Sequence, residues 1–207
     1  MKKLLLILIV AFIANGSFAQ EGDDATTKGF KKDHLFTGGS VSASFFNGTT
    51  SLGLIPHFGY SFNRFIDVAA SVNFNYISQR DYVVYGDKAR QTVFGPGAFV
   101  RLFPVKFLFA QGQYEHNFVR FKYLPANNSG YTAFTEKRDA NSILVGGGYC
   151  SGREQGQNSY YYLSVLWDVT KVSGSPYLDG LGRPYAIIRA GFNVALFQGG
   201  YHHRRRN

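Results

Sequence analysis

Cysteine is almost missing from this chain: Cys150 is the single one in 207 residues. No intramolecular disulfide can form, so an exported fold must be held by something other than crosslinks. Long apolar runs are also missing beyond the first residues, which excludes a conventional transmembrane helix from the rest of the chain. No glycine-rich segment sits between a strand and a helix as a phosphate loop requires, and no histidine, cysteine or acid cluster has metal-ligand spacing. His202 and His203 are adjacent, with no acidic or cysteine partner close in sequence.

What is present begins with an export signal. Lys2 and Lys3 precede an apolar run from Leu4 to Ala14, followed by Ser17-Phe18-Ala19, whose small residues suit signal peptidase. The run is about half the roughly 20 residues a spanning helix needs. Cleavage after Ala19 would make Gln20 the mature terminus, and no cysteine stands there to carry a lipid anchor. The expected organisation is a cleaved signal at 1–19, a mobile segment at 20–35, a barrel at 36–197 and a basic tail at 198–207. Losing Lys2 and Lys3 lowers the formal charge of +9 to +7, and Arg204, Arg205 and Arg206 hold three of the remainder. The other basic residues are scattered through an exported chain, which argues against nucleic acid as a partner.

Aromatic residues make up 17% of the chain and glycines number 24, a composition that suits many strands joined by tight turns. The clearest segment runs from Ile66 to Tyr76. Ile66, Val68, Ala70, Val72, Phe74 and Tyr76 alternate with Asp67, Ala69, Ser71, Asn73 and Asn75, the period of an extended strand. Eleven residues are about what a tilted strand needs to cross a bilayer.

Seven further strands are read the same way, near 36–46, 51–62, 91–103, 106–123, 141–150, 160–169 and 184–197. In the second, Pro56 should weaken a rung or create a bulge. In the fifth, the alternation blurs after Phe118. The turns expected are Asn47-Gly48, Asn63-Arg64, Pro104-Val105 and Gly152–Gln157, and longer loops are expected at 80–90, 124–140 and after Val169.

Eight strands leave an interior just large enough for side chains, so a soluble barrel turns its oily face inward and a membrane barrel turns it outward. Short turns alternate with longer loops in the rhythm of an outer-membrane barrel whose termini face the periplasm. Near the chain end, Arg189, Gly191, Val194 and Leu196 follow the pattern of a barrel-assembly signal, although Val194 stands where an aromatic is usual. The expected fold class is therefore all-β: an eight-stranded antiparallel up-and-down transmembrane β-barrel.

Pro56-His57-Phe58-Gly59-Tyr60-Ser61-Phe62 and Gly95-Pro96-Gly97-Ala98-Phe99-Val100-Arg101-Leu102-Phe103, together with the eight-strand rhythm, give the chain its resemblance. It resembles the small outer-membrane β-barrel family of Bacteroidota and related Gram-negative bacteria, similar to OmpX and the OmpA membrane domain. The resemblance implies an outer-membrane location and covers nearly the whole mature chain. Members of the family serve in adhesion, envelope integrity or partner binding.

Chemistry is sparse. Asp67, Arg101, Glu115 and Arg189 fall on the expected inner face, where a narrow lumen tolerates charge as hydrogen-bonded pairs, so structural filling is the expected role. His57 and His116 sit in no recognisable catalytic motif, and no serine, histidine and acid combination is apparent at an outer rim. Phe58, Tyr60, Phe62, Tyr76, Phe94, Tyr114, Tyr161 and Trp167 are expected to face outward, those near strand ends anchoring at headgroup level. Tyr82, Tyr85, Tyr131 and Tyr177 are the loop aromatics that could stack on carbohydrate. The sequence reads as a non-enzymatic envelope or surface-interaction protein with no cofactor. Its expected partners are outer-membrane lipid, the barrel-assembly machinery and an extracellular or envelope protein. The alternatives are a small-solute pore, a lipid-modifying enzyme and a soluble lipocalin-like barrel.

Overall fold

The structure, a computed structural model, describes residues 30–46, 48–151, 159–179 and 181–197. The expected signal segment, most of the segment that follows it, Asn47, the Gly152–Gln157 turn and the tail with His202 to Arg206 lie outside these residues. Eight strands follow one another: β1 Leu35–Phe46, β2 Thr49–Asn63, β3 Ile66–Arg80, β4 Lys88–Val105, β5 Leu108–Leu124, β6 Phe134–Ser151, β7 Tyr160–Asp168 and β8 Ile187–Ala195. Each pairs antiparallel with its neighbour, and β8 returns to β1 to close a barrel. Closure gives the strands partners on both sides through the body of the barrel, whereas above Ile143 β6 is laddered to β5 alone. The chain's entry and exit meet, with the Leu196 amide donating to the Leu35 carbonyl at 2.8 Å.

The side chains are arranged inside out relative to a soluble barrel. On β3, Asp67, Ser71, Asn73 and Asn75 are buried, while Phe74 and Tyr76 are exposed. The same alternation puts Ser40, Ser42 and Ser44 inside β1 with Val41 and Phe45 outside, and Arg189 and Asn193 inside β8 with Ile188, Phe192 and Val194 outside. The eight aromatics expected to face outward are all exposed or half-buried.

Several boundaries differ from the sequence reading. β6 begins at Phe134 rather than near residue 141, so the loop between β5 and β6 covers only residues 125–133; β4 begins at Lys88 and β8 at Ile187. The apparent blur in β5 is an inversion of polarity. Beyond Phe118, Val119, Phe121 and Tyr123 are buried inside while Arg120 and Lys122 are exposed outside. Alternation therefore persists, with the meaning of the two faces exchanged.

The prolines interrupt ladders without displacing them. Between β2 and β3 the pairing passes from Leu54–Phe74 to His57–Ser71 in unchanged register across Pro56. Between β4 and β5 it passes from Phe94–Phe118 to Gly97–Glu115 across Pro96, again in unchanged register. A missing amide donor produces such a skipped rung. True register shifts occur instead at Ser61/Asn63 and Leu102/Val105, beside the two tight turns.

Candidate functional site

The lumen is layered rather than uniformly polar. Phe103, Phe109, Cys150, Tyr160 and Tyr162 form an oily cluster near the end where β1 begins and β8 finishes, beside Phe36, Ala69 and Phe99. At the opposite end, Ile77, Val93 and Val119 and then Ala89, Phe121 and Tyr123 form two more. Glu115 and Arg189 occupy the middle, while Arg101 and Asp67 sit among the aromatic side chains of the first end; alternation on β3, β4, β5 and β8 turns all four inward.

Arg189 meets Glu115 in an ion pair of 3.1 Å and also donates to Gln113 Oε1 at 2.7 Å. Gln113 in turn donates to Glu115 Oε1 at 2.8 Å, and Gln111 to Gln113 at 2.8 Å, so three polar side chains of β5 run as a continuous chain. Arg101 donates to Gln111 at 2.8 Å, and its guanidinium lies 3.9 Å from the Tyr162 ring centroid, 4.5 Å from Phe99 and 5.1 Å from Phe109. A weakly hydrated planar cation suits such an aromatic enclosure. Asp67 accepts from Ser61 at 2.7 Å and from the Tyr160 hydroxyl at 3.1 Å. All four charged residues singled out in the sequence are thus inside, and hydrogen bonds join them into one lumen network.

One member of the network comes from a loop. The segment between β7 and β8 folds back into the barrel and places Tyr177, which is 1% exposed, at the centre. Its hydroxyl donates to Glu115 Oε2 at 2.5 Å and accepts from Asn73 at 2.7 Å. Ser175 anchors the same segment, donating to Asp168 at 2.5 Å and lying 3.1 Å from Ser142 Oγ. Tyr177 is therefore not an outward loop aromatic as expected. Tyr82, Tyr85 and Tyr131 are exposed. Above the inserted segment, Leu178 bridges Pro184 and Asp179 caps the turn, accepting from the Leu181 and Arg183 amides at 2.9 and 2.8 Å. A cavity of about 270 Å³ remains at this mouth, between Ser51, Ile77 and Gln91 on the wall and Leu178 and Tyr185 on the loop.

His57 and His116 stand on opposite faces of the wall. His57 is inside, its Nε2 2.9 Å from Asn193 Oδ1 and its ring edge-on to Phe99. His116 faces outward, 2.7 Å from Asn141 Oδ1 and edge-on to Phe118. Among the described residues, no cluster of three metal-ligating side chains occurs. At the chain end, Arg189 and Gly191 face inward and Val194 outward, while Leu196 lies just past β8.

No protein-family model matches the chain, and no curated protein sequence does. Among solved structures, the chain is similar to Ail, the attachment invasion locus protein of Yersinia pestis, in complex with the heparin analogue sucrose octasulfate, at 8% identity and TM-score 0.44, covering 77% of this chain and 93% of that one. The N-terminal β-barrel domain of Pseudomonas aeruginosa OprF matches at 11% identity and TM-score 0.42, covering 78% and 98%. Neisserial surface protein A matches at 10% identity and TM-score 0.41, covering 78% and 96%.

Proposed function

We propose that the chain is a non-enzymatic outer-membrane barrel of the OmpX and OmpA kind, a plugged post that carries surface interactions on its outer loops and upper wall. The observation behind this reading is the direction of the wall: exposed Phe74, Phe94, Val100, Leu102, Tyr114, Phe118, Ile188 and Phe192 face away from a core holding Asp67, Arg101, Glu115 and Arg189. Apolar side chains at that density repay burial in lipid. The interior favours a post over a pore, because Tyr177 and the Arg189–Glu115 pair fill the narrow middle of an eight-stranded barrel. Arg189, Gly191, Val194 and Leu196 would serve recognition by the assembly machinery, and the four lumen charges would serve stability.

Membrane fractionation combined with heat-modifiable gel mobility tests the reading. A compact band from the membrane fraction that shifts only on boiling is expected. Recovery as a soluble protein without detergent would overturn it, and steady single-channel conductance in a planar bilayer would replace the post with a pore.

A further inference from the structure

The outward face of β3 to β6 continues above the apolar belt, and it changes character abruptly there. Phe74, Phe94 and Phe118 lie side by side across three strands, with ring centroids 5.3 and 6.2 Å apart. Two residues further along, Arg120 stands opposite Lys137; two further again, Arg90 stands opposite Lys122; and beyond them Arg80 stands opposite Lys88. All six are exposed, and among the described residues none makes an ion pair or hydrogen bond through its side chain.

Such an arrangement works against the sheet. Like charges directly across a strand pair bring Cβ atoms to about 5 Å and repel. Ordinary solvation of a strand overhang would be met by mixed charge, yet on this part of the face the sole acid is Asp139, level with Phe118, while Glu136 stands opposite the inward Phe121. The segregation also stops at the next strands that reach this level: the outward faces of β1 and β2 carry no lysine or arginine.

Height identifies the occupant. At about 3.4 Å per residue and a tilt near 45°, side chains two and four residues above the phenylalanine row stand roughly 5 and 10 Å higher. The headgroup layer on each side of a bilayer is of that same thickness, roughly 5 to 8 Å. We propose that Arg90, Arg120, Lys122 and Lys137, flanked by Arg80 and Lys88, form a docking face for anionic, phosphate-bearing headgroups of lipids in the outward leaflet. The inference rests on the membrane placement proposed above. Phosphate oxygens lying between facing cations would turn each repulsive pair into a bridged one. A soluble polyanion would have no reason to be met at this level on a single side of the barrel.

The test uses full-length protein in vesicles of phosphatidylcholine alone or mixed with phosphatidylglycerol, with the lipid bound to the protein measured by spin-label electron resonance. The wild-type barrel should enrich phosphatidylglycerol, and added sodium chloride should erase the enrichment. Neutralising Arg90, Arg120, Lys122 and Lys137 to Gln should reduce it by about fivefold or more, since one basic residue near an anionic surface already shifts partitioning by about that factor. The charge-preserving variant with R90K and R120K should retain it. Equal binding of both lipids by the wild-type protein, or enrichment unaffected by salt, would overturn the proposal without any variant. So would tight binding of inositol hexaphosphate by detergent-solubilised protein together with no preference between lipids. A protein that inserts and is heat-modifiable but shows no preference defeats this inference alone, whereas one that never inserts defeats the membrane reading beneath it.

Discussion

The Tyr177 hydroxyl donates to Glu115 Oε2 at 2.5 Å across 62 residues of sequence, joining a loop to the middle of the barrel wall. Glu115 is fully buried and Arg189 balances its charge, so the tyrosine supplies a hydrogen bond that a carboxylate out of reach of water would otherwise lack.

Removing that hydroxyl with Tyr177→Phe should cost about 1.5 to 3 kcal/mol, the usual worth of a hydrogen bond to a charged group. Glu115 Oε2 would keep only the longer contacts from Asn73 at 3.3 Å and Asn117 at 3.4 Å. The temperature at which the compact band converts to the unfolded one on a gel should fall. An unchanged conversion temperature would show that the loop is only draped over the mouth.

Arg101→Ala should lower the same temperature, because it empties an enclosure of Tyr162, Phe99 and Phe109 and leaves Gln111 Oε1 without its donor. A desolvated cation over aromatic faces contributes about 2 kcal/mol. Arg101→Lys should recover little of the loss, since a point charge neither stacks nor reproduces the planar fork.

Gly191→Ala should disrupt closure of the barrel. A Cβ at this position would lie 2.5 Å from the Gly39 carbonyl oxygen, 2.6 Å from the Tyr162 ring and 2.7 Å from Ser40 Cβ, on the seam where β8 meets β1. Gly112→Ala is the contrast, because nothing lies within 4 Å of its would-be Cβ. The heat-modifiable band should be lost in the first variant and kept in the second.

Asp87 makes the loop between β3 and β4 sensitive to acid. Its carboxylate accepts from the Tyr82, Val83 and Val84 amides at 2.5, 2.9 and 3.0 Å and from the Tyr123 hydroxyl at 2.8 Å. Burial alone would raise its pKa, but these donors outweigh burial and hold it below the ordinary carboxylate value. A depressed folded pKa contributes order that is fully present above the unfolded value and lost as pH falls through the folded one. Hydrogen exchange at the Tyr82 to Val84 amides should therefore stay slow at neutral pH, relative to intrinsic rates, and lose protection below the usual carboxylate range. Asp87→Asn should remove that protection at neutral pH as well.

The strand faces were legible in the sequence because period two survives even without knowing which side is in; Ile66 to Tyr76 needed no other information. Phe134 to Asp139 were hidden because their charges suggest a loop, and only pairing with Phe118 to Tyr123 across the ladder makes them a strand. The upper part of β5 was hidden for a related reason: an alternation whose polar and apolar sides change places looks like no alternation at all. Tyr177 left no signal, since a segment that re-enters a barrel follows no period. The lumen charges were visible one by one, but their joining through Gln111, Gln113 and Tyr160 is a property of register.

The two skipped rungs at Pro56 and Pro96 lie on either side of the β3–β4 hairpin, whose own ladder runs without a gap from Ile66–Leu102 to Arg80–Lys88. The hairpin is thus a stiff stave hung between two thinned joints. Strain reaching the barrel from outside, from a partner pulling on the loop that Asp87 organises or from lipids pressing on the wall, will be taken up first at those joints and leave the stave intact.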